Sequence, residues 1–202
     1  MILVFSLHHK SFKTLLVSSG LILIFLLNYS KQYYDQFTKK HLIFYSIKEK
    51  VAIDVIEGLS ARLFVESDST INLEKYSFQI NPNRLANRLP PIEETSNPLK
   101  KEFQDFGAFR LGTFLNRKIL IIDSTTFHLD FKKPINADVI LIENNAVKNP
   151  EWFKEHFIAD HVLLGNSNSY RYVNKMNKQA KSIGFNIHSI GNDGAFVLKI
   201  EE

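Results

Sequence analysis

Cysteine is absent from the 202 residues of the sequence. This absence excludes disulfide bonds, and it excludes zinc or iron–sulfur sites that use cysteine ligands. No glycine-rich loop follows any predicted strand, so a nucleotide site of the phosphate-loop type is not expected. The sequence also has no repeat array and no low-complexity segment. None of these absences restricts the compartment in which the protein works.

A basic excess is missing from most of the chain. The formal net charge is +4, but five lysines and one aspartate lie within the first 40 residues. The remaining 162 residues carry 20 basic and 20 acidic side chains and are neutral. Tight general binding to a phosphate backbone usually requires a clear basic excess, which this part of the chain does not have. Its length suits one domain that buries about 70% of its unfolded surface.

A long apolar stretch lies near the start of the chain. Residues 14–27 carry no charge, and the eighteen residues 12–29 carry only Lys13. As a helix these eighteen residues would rise about 27 Å, close to the thickness of a bilayer core. Tyr33 and Tyr34 follow, as aromatic residues do at a membrane interface. A buried core helix and a secretory signal are the alternatives, but no small-residue cleavage pattern follows. The stretch therefore predicts a transmembrane helix at about residues 12–29.

The first seven residues, MILVFSL, are apolar apart from Ser6. They are too short to span a membrane and look like the end of an earlier span, with residues 8–10 as a turn. Our hypothesis is that the chain is the C-terminal piece of a larger polytopic protein in which Met1 is internal. Residues 1–40 then form a membrane segment and residues 41–202 a soluble domain. Lysines on both sides of the apolar stretch leave its orientation undecided.

The first half of this domain is predicted to consist mainly of strands. Residues 41–47, 51–58 and 61–67 form an antiparallel meander in this prediction. A further strand is predicted to end near Ile80, followed by a turn at residues 81–83. The proline-rich residues 90–101 are interpreted as a long surface loop. Two more strands are then predicted, at residues 109–115 and 117–123.

The second half alternates between strands and helices. Strands are predicted at residues 138–144 and 161–166, joined by a short helix that Asn149 caps and Pro150 begins. This order implies a parallel pair with a right-handed crossover. A helix from Tyr170 to Ile183 should end at Gly184. Two closing strands, NIHSI and GAFVLKI, are expected around the turn at residues 191–194. The predicted fold class is mixed, β-rich α/β, with two sheets and outer helices.

Four stretches carry a resemblance to a known family: HLIFYSIKEKVAIDVIEG, INPNRLAN, NRKILIIDS and GNSNSYRYVNKMNKQAKSIGFNIHSIGNDGAFVLKI. Together they resemble the C-terminal part of ComEC-type competence proteins, the inner-membrane channels of bacterial DNA uptake. The resemblance covers nearly the whole chain, because the leading apolar segments are similar to that family's last membrane helices. It implies a degenerate metallo-β-lactamase-like sandwich of two sheets with outer helices, preceded by a transmembrane helix.

Active members of the metallo-β-lactamase superfamily bind metal through H-x-H-x-D-H, a later Asp and a later His. At the corresponding places this sequence has residues 81–87, without His or acid, and then residues 143–145, Glu-Asn-Asn. Asp123 matches the later Asp. One ligand of about six does not make a hydrolytic site, which needs neutral imidazoles and carboxylates around an open water position. We therefore expect no metal, no other cofactor and no catalysis.

Other candidate groups have plainer interpretations. Residues 155–161 contain two His and two acids, but they span the predicted end of a helix. Residues 167–169, Ser-Asn-Ser, offer a helix N-cap rather than a nucleophile. His188 could equally be a structural histidine. Asp54, an acid inside an apolar strand, is interpreted as facing solvent on a half-exposed sheet.

One feature favours a nucleic-acid role. The predicted helix from Tyr170 carries a stripe of basic residues opposite its apolar face, with no acid among them: Arg171, Lys175, Lys178 and Lys181. A solvated helix face is the plainer explanation. The functional explanations are that the stripe contacts a DNA backbone or anionic lipid headgroups. Arg84 and Arg88 are weaker candidates for the same contact.

The sequence thus predicts a membrane-attached, non-catalytic C-terminal domain of a ComEC-like channel for DNA uptake in natural transformation. The resemblance implies four partners: DNA (which is single-stranded during uptake), the membrane, other competence proteins and the rest of a polytopic protein. It places the protein in the inner membrane with the domain on the periplasmic side. The alternatives are a divergent metal-dependent hydrolase or nuclease and an unrelated membrane-tethered periplasmic interaction or assembly domain.

Overall fold

The computed structural model describes residues 12–47, 50–65, 74–92, 97–98, 102–123, 133–184 and 186–200. The chain divides into two compact units, with the boundary between Lys39 and Lys40. The hypotheses about the first seven residues and the turn at residues 8–10 lie outside the described residues.

The helices are α1 (Phe12–Phe37), α2 (Glu74–Ala86), α3 (Pro150–His156), α4 (Tyr170–Ile183) and α5 (Ile190–Asp193). The strands up to Asp105 are β1 (Lys40–Ile47), β2 (Lys50–Glu57), β3 (Ser60–Val65), β4 (Asn97–Pro98) and β5 (Phe103–Asp105). The later strands are β6 (Arg110–Phe114), β7 (Arg117–Ile122), β8 (Ile135–Ile142), β9 (Phe157–Leu164), β10 (Ile187–Ser189) and β11 (Phe196–Lys199).

The first unit is dominated by α1, a helix of 26 residues. It continues eight residues beyond the predicted end at Tyr29 and therefore includes Tyr33 and Tyr34. Its segment Leu15–Phe37 is long and apolar enough to cross a membrane, judged by length and composition. Most of its large apolar side chains are exposed, as Leu23 and Phe25 illustrate.

Within the described residues of the second unit, the strands form two sheets. The smaller sheet has the order β11-β1-β2-β3-β4, and the larger has the order β10-β9-β8-β7-β6-β5. β1, β2 and β3 pair antiparallel, which confirms the predicted meander. β8 and β9 pair parallel around α3, as predicted. β7 and β10 extend the parallel part of the larger sheet on either side.

The order of layers is helix, sheet, sheet, helix, because both sheets are apolar on both faces. Ile119 and Ile121 of β7 point between the sheets, whereas the alternating Leu120 and Ile122 pack against the layer of α3 and α4. On the smaller sheet the outward face packs against Ile80 of α2. The predicted mixed, β-rich α/β class with two sheets and outer helices is therefore confirmed.

The prediction of a strand up to Ile80 and a turn at residues 81–83 was wrong. Residues 74–86 form α2, with Pro82 inside the helix. A proline removes one helical hydrogen bond, which usually bends or ends a helix. The helix persists because its inner side is fixed to the smaller sheet, where Ile80 is completely buried and Arg84 is held by an ion pair.

The two closing strands are present, but a short helix stands in place of the turn between them, and the predicted loop at residues 90–101 contains a two-residue strand. The closing strands do not form a hairpin, because β10 joins β9 in the larger sheet and β11 joins β1 in the smaller sheet. The short α5 connects the two sheets. Within the predicted loop at residues 90–101, β4 pairs with β3, while residues 93–96 and 99–101 lie outside the described residues.

Candidate nucleic-acid interface

The parallel strands of the larger sheet end at one edge, where their carboxyl ends bring polar residues together. Asp123 follows β7, and Glu143 follows β8. The segment Gly165–Ser169 follows β9 and leads into α4. A ligand site in an open parallel sheet commonly lies at such an edge. Asp123, which corresponds to the later Asp of the metal-binding pattern, therefore lies at this edge.

The acids at this edge are bound by the protein itself. Arg110 donates to Asp123 at 2.7 Å. Glu143 is buried, lies against Gly165 and accepts hydrogen bonds from the Ser167 hydroxyl and backbone N–H. No group of three or more metal-ligating side chains occurs in the described part of the chain. The described donors at this edge therefore do not fit a two-metal hydrolytic centre.

The INPNRLAN stretch packs on the other sheet from the one that carries this edge. Its residues 80–86 lie on α2, which packs on the outer face of the smaller sheet, and Asn87 follows the helix, whereas Asp123 follows a strand of the larger sheet. Asn83 and Asn87 bond to each other at 3.2 Å, and Asn83 also donates to Tyr45 at 2.9 Å. These amides hold α2 in place.

Helix α4 has the bounds that the sequence predicted. The Ser169 hydroxyl accepts from the Tyr172 N–H, so Ser169 is the N-cap. Gly184 ends the helix in the left-handed conformation, with φ 84°. Val173, Met176 and Ala180 are buried, which fixes the opposite side of the helix toward solvent.

The basic stripe lies on that exposed side. Arg171, Lys175 and Lys178 are all exposed, and none of them forms an ion pair with a described carboxylate. The side chain of Lys181 lies outside the described part of the chain. Four positions separate Arg171 from Lys175, so their side chains share one face and reinforce each other's field.

A pocket of about 330 Å³ opens beside the first turns of α4. Its lining combines residues from α4 with residues from the loop after β8: Asn145, Lys148, Ser169, Arg171, Tyr172, Lys175 and Met176. Lys148 was not singled out from the sequence, because it lies 23 residues before Arg171 and on another element. The fold thus places three cations and no acid around one concavity.

Hydrogen bonds fasten the loop to the helix. Asn145 lies in the left-handed conformation, and its amide oxygen accepts from the Ser169 N–H at 2.9 Å and from the Ser169 hydroxyl at 3.2 Å. The Tyr172 hydroxyl donates to the Val147 carbonyl at 2.5 Å. Burial raises the pKa of the Tyr172 hydroxyl, so this donor keeps its proton at neutral pH. Lys148, next to Val147, is thereby held beside α4.

The three histidines considered as candidate groups make contacts within the protein. His156 is bonded through Nδ1 to the Trp152 carbonyl in the last turn of α3. His161 lies on β9, and its ring contacts that of Phe196. His188 contacts the same ring and is bonded to the Gly194 carbonyl at 2.9 Å.

Asp54 does not face solvent, and its interpretation as a surface acid was wrong. It is 0% exposed and accepts from Arg84 through both oxygens, at 2.7 and 2.8 Å. The Tyr45 hydroxyl also donates to it at 3.3 Å. Burial and the nearby Asp54 charge raise the pKa of Tyr45. Because Arg84 is buried in this ion pair, it is not a DNA-contacting residue. Arg88 is exposed.

Comparison with known protein families gives a match to the ComEC C-terminal domain over residues 42–200. Neither the curated proteins nor the solved structures contain a match to the chain. The family match covers almost the whole second unit, and the sequence resemblance stated above is confirmed by it. The chain therefore belongs to the ComEC C-terminal domain family, which connects it with DNA uptake in competence.

Proposed function

We propose that the protein is the membrane-attached, non-catalytic C-terminal domain of a ComEC-like DNA-uptake channel, and that α4 contacts the incoming DNA. The observation that carries the DNA contact is the exposed cationic face of α4. Around it, Lys148 adds a third cation to the pocket that Arg171 and Lys175 line. A local cluster of this kind compensates for the absence of a basic excess in the domain as a whole.

Membrane attachment is proposed through α1. A helix of 26 residues rises about 39 Å, more than the hydrocarbon core of a bilayer. Its exposed apolar side chains would be covered by lipid. By family resemblance the membrane is the inner membrane, the domain lies on its periplasmic side, and the partners are other competence proteins and the remainder of a polytopic protein.

The absence of catalysis is proposed from the chemistry of the donors. Asn81, Asn83 and Asn87 offer neutral amide oxygens, which are poor transition-metal ligands; the first two lie on α2 and Asn87 follows it directly. Asp123 is paired with Arg110. We expect the purified protein to melt at the same temperature with chelator, zinc or manganese, because a ligand stabilises only the state that binds it. Stoichiometric bound metal together with nuclease activity lost in Asp123→Ala would establish the hydrolase alternative.

The DNA contact is tested by replacing three exposed cations on α4. In the variant Arg171→Gln/Lys175→Gln/Lys178→Gln, affinity for single-stranded DNA should fall at least about tenfold near 0.1 M salt. The slope of log affinity against log salt concentration should become shallower by about 2, because each lost phosphate contact removes about 0.7. Titrations of the full chain in detergent at several salt concentrations measure both quantities.

A matched control removes the same charge elsewhere. Lys118, Lys133 and Lys199 are exposed lysines outside α4. Their triple replacement by glutamine should leave most of the DNA affinity intact. If both triple variants lose the same amount of DNA affinity, the basic stripe is only a solvated helix face and not a DNA contact. Normal uptake of labelled DNA after deletion of the reading frame would instead favour the interaction-domain alternative.

A further inference from the structure

The pocket beside α4 has a shape and a composition that the basic stripe alone does not require. Of the three stripe cations whose side chains are described, two line the pocket, Arg171 and Lys175, while Lys178 does not. Lys148 enters from a different element. The stripe and the pocket are therefore separable surfaces that share two residues, and a substitution can affect one without the other.

The lining has the chemistry of an anion site with an apolar floor. Lys148, Arg171 and Lys175 supply the positive charge, and Met176, which is buried, supplies the floor together with the Tyr172 ring. The Asn145 amide oxygen is already occupied by Ser169. The NH2 group of Asn145 has no partner among the described residues, so it remains as a neutral donor at the pocket.

The pocket is also held in shape before any ligand binds. Val147 is completely buried, and Asn149 caps α3 by accepting from the Glu151 and Trp152 N–H groups, so the backbone on both sides of Lys148 is fixed. The Tyr172–Val147 and Asn145–Ser169 bonds join that loop to α4. A backbone that is already fixed loses less conformational freedom on binding than a mobile one, which favours affinity for a matching ligand.

We propose that this pocket holds one phosphate group of a single-stranded DNA chain, with the attached sugar against Tyr172 and Met176. The inference rests on the proposed DNA contact and names the part of the strand that is held. A volume of about 330 Å³ is at the lower end for small-molecule sites and suits one nucleotide unit. A duplex has a stiff, convex backbone and can reach only the rim, whereas a flexible single strand can lower a phosphate into the pocket.

The test compares Lys148→Gln with Lys178→Gln in the full chain. Each variant removes one exposed lysine and one positive charge, but only Lys148 lines the pocket. Affinities are measured for a single-stranded oligonucleotide and for the duplex of the same length. We expect Lys148→Gln to weaken single-strand binding about tenfold and duplex binding about twofold, because a charge-assisted hydrogen bond is lost only with the single strand. Lys178→Gln should weaken both by the same factor of about two.

Two outcomes overturn the proposal. If the two variants change single-strand and duplex affinities by the same factors, the pocket has no role of its own, although the triple variant of α4 can still establish the DNA contact. If Lys148→Gln weakens binding of glycerol phosphate, a lipid headgroup without its tails, but leaves DNA affinity unchanged, the pocket is a headgroup site. Unchanged melting temperatures of both variants verify the fold.

Discussion

Helices α2 and α4 each cover one outer face of the sandwich, but they place their charges on opposite sides. Arg84 of α2 points inward and is 3% exposed against Asp54. Arg171 and Lys175 of α4 point outward and have no acidic partner in the described part of the chain. A charge that is buried with its partner serves the fold, because its removal leaves the partner uncompensated. Exposed cations held together without an acid are free to attract an anionic ligand.

The largest effect should come from breaking the buried pair. We expect Arg84→Ala or Asp54→Ala to reduce the free energy of unfolding by about 3–5 kcal/mol, because either change leaves one charged group buried alone. The double variant Asp54→Leu/Arg84→Met should recover much of this loss, since it leaves no unpaired charge. Urea denaturation of the four proteins measures the effect. A double variant that is no more stable than the single ones would contradict this account.

A smaller effect is expected where β9 ends beneath Glu143. A methyl group at Gly165 would overlap the Glu143 carboxylate, which Ser167 holds in place. Gly165→Ala should therefore cost about 1–3 kcal/mol by overpacking. The same change should add little when Glu143 is already alanine, and a double-mutant cycle measures this coupling. Additive costs would mean that Glu143 moves aside without penalty.

The smallest effect concerns a half-exposed ion pair on the larger sheet. Burial acts to raise the pKa of Asp138, but hydrogen bonds from the Lys118 N–H and the Arg117 guanidinium outweigh it and lower that pKa. Because the pKa of Asp138 is lower in the folded state, its ionised form stabilises the fold at pH values above the unfolded-state pKa of about 4. This stabilisation is lost as the pH falls through the folded-state pKa. Asp138→Asn should cost about 1 kcal/mol or less at pH 7 and still less near pH 2. Thermal melts at both pH values test this, and a cost that does not change with pH would exclude the charge as its cause.

Local signals in the sequence predicted a large part of the fold. The strands β1 and β2, the Asn149-Pro150 start of α3 and the Gly184 end of α4 depend on neighbouring residues, and each was predicted correctly. Family membership was also confirmed. The role of the basic stripe stays a prediction.

The errors share a physical cause, which is that the deciding contact is distant in sequence. Asp54 and Arg84 are 30 residues apart, and their pairing gives α2 an inner side that its own pattern does not reveal. A proline in the middle of KYSFQINPNRLA then favours a turn over a helix. The sequence also indicated a chain reversal near residues 191–194, but it did not reveal that β10 and β11, on either side of it, join different sheets. The sequence did not indicate a role for Lys148, because most of the residues that surround it in the pocket belong to α4.

The pairing of β11 with β1 has a consequence for the order of folding during synthesis. Residues 196–199 bond to residues 41–44, so β11, the last of the described strands, completes a sheet that β1 begins. Until residues 196–199 have left the ribosome, that edge of β1 carries unpaired backbone groups that can bond to other chains. Closure across such a separation is slow compared with forming local hairpins. The nascent domain is therefore most prone to aggregation in the interval before residues 196–199 pair with β1.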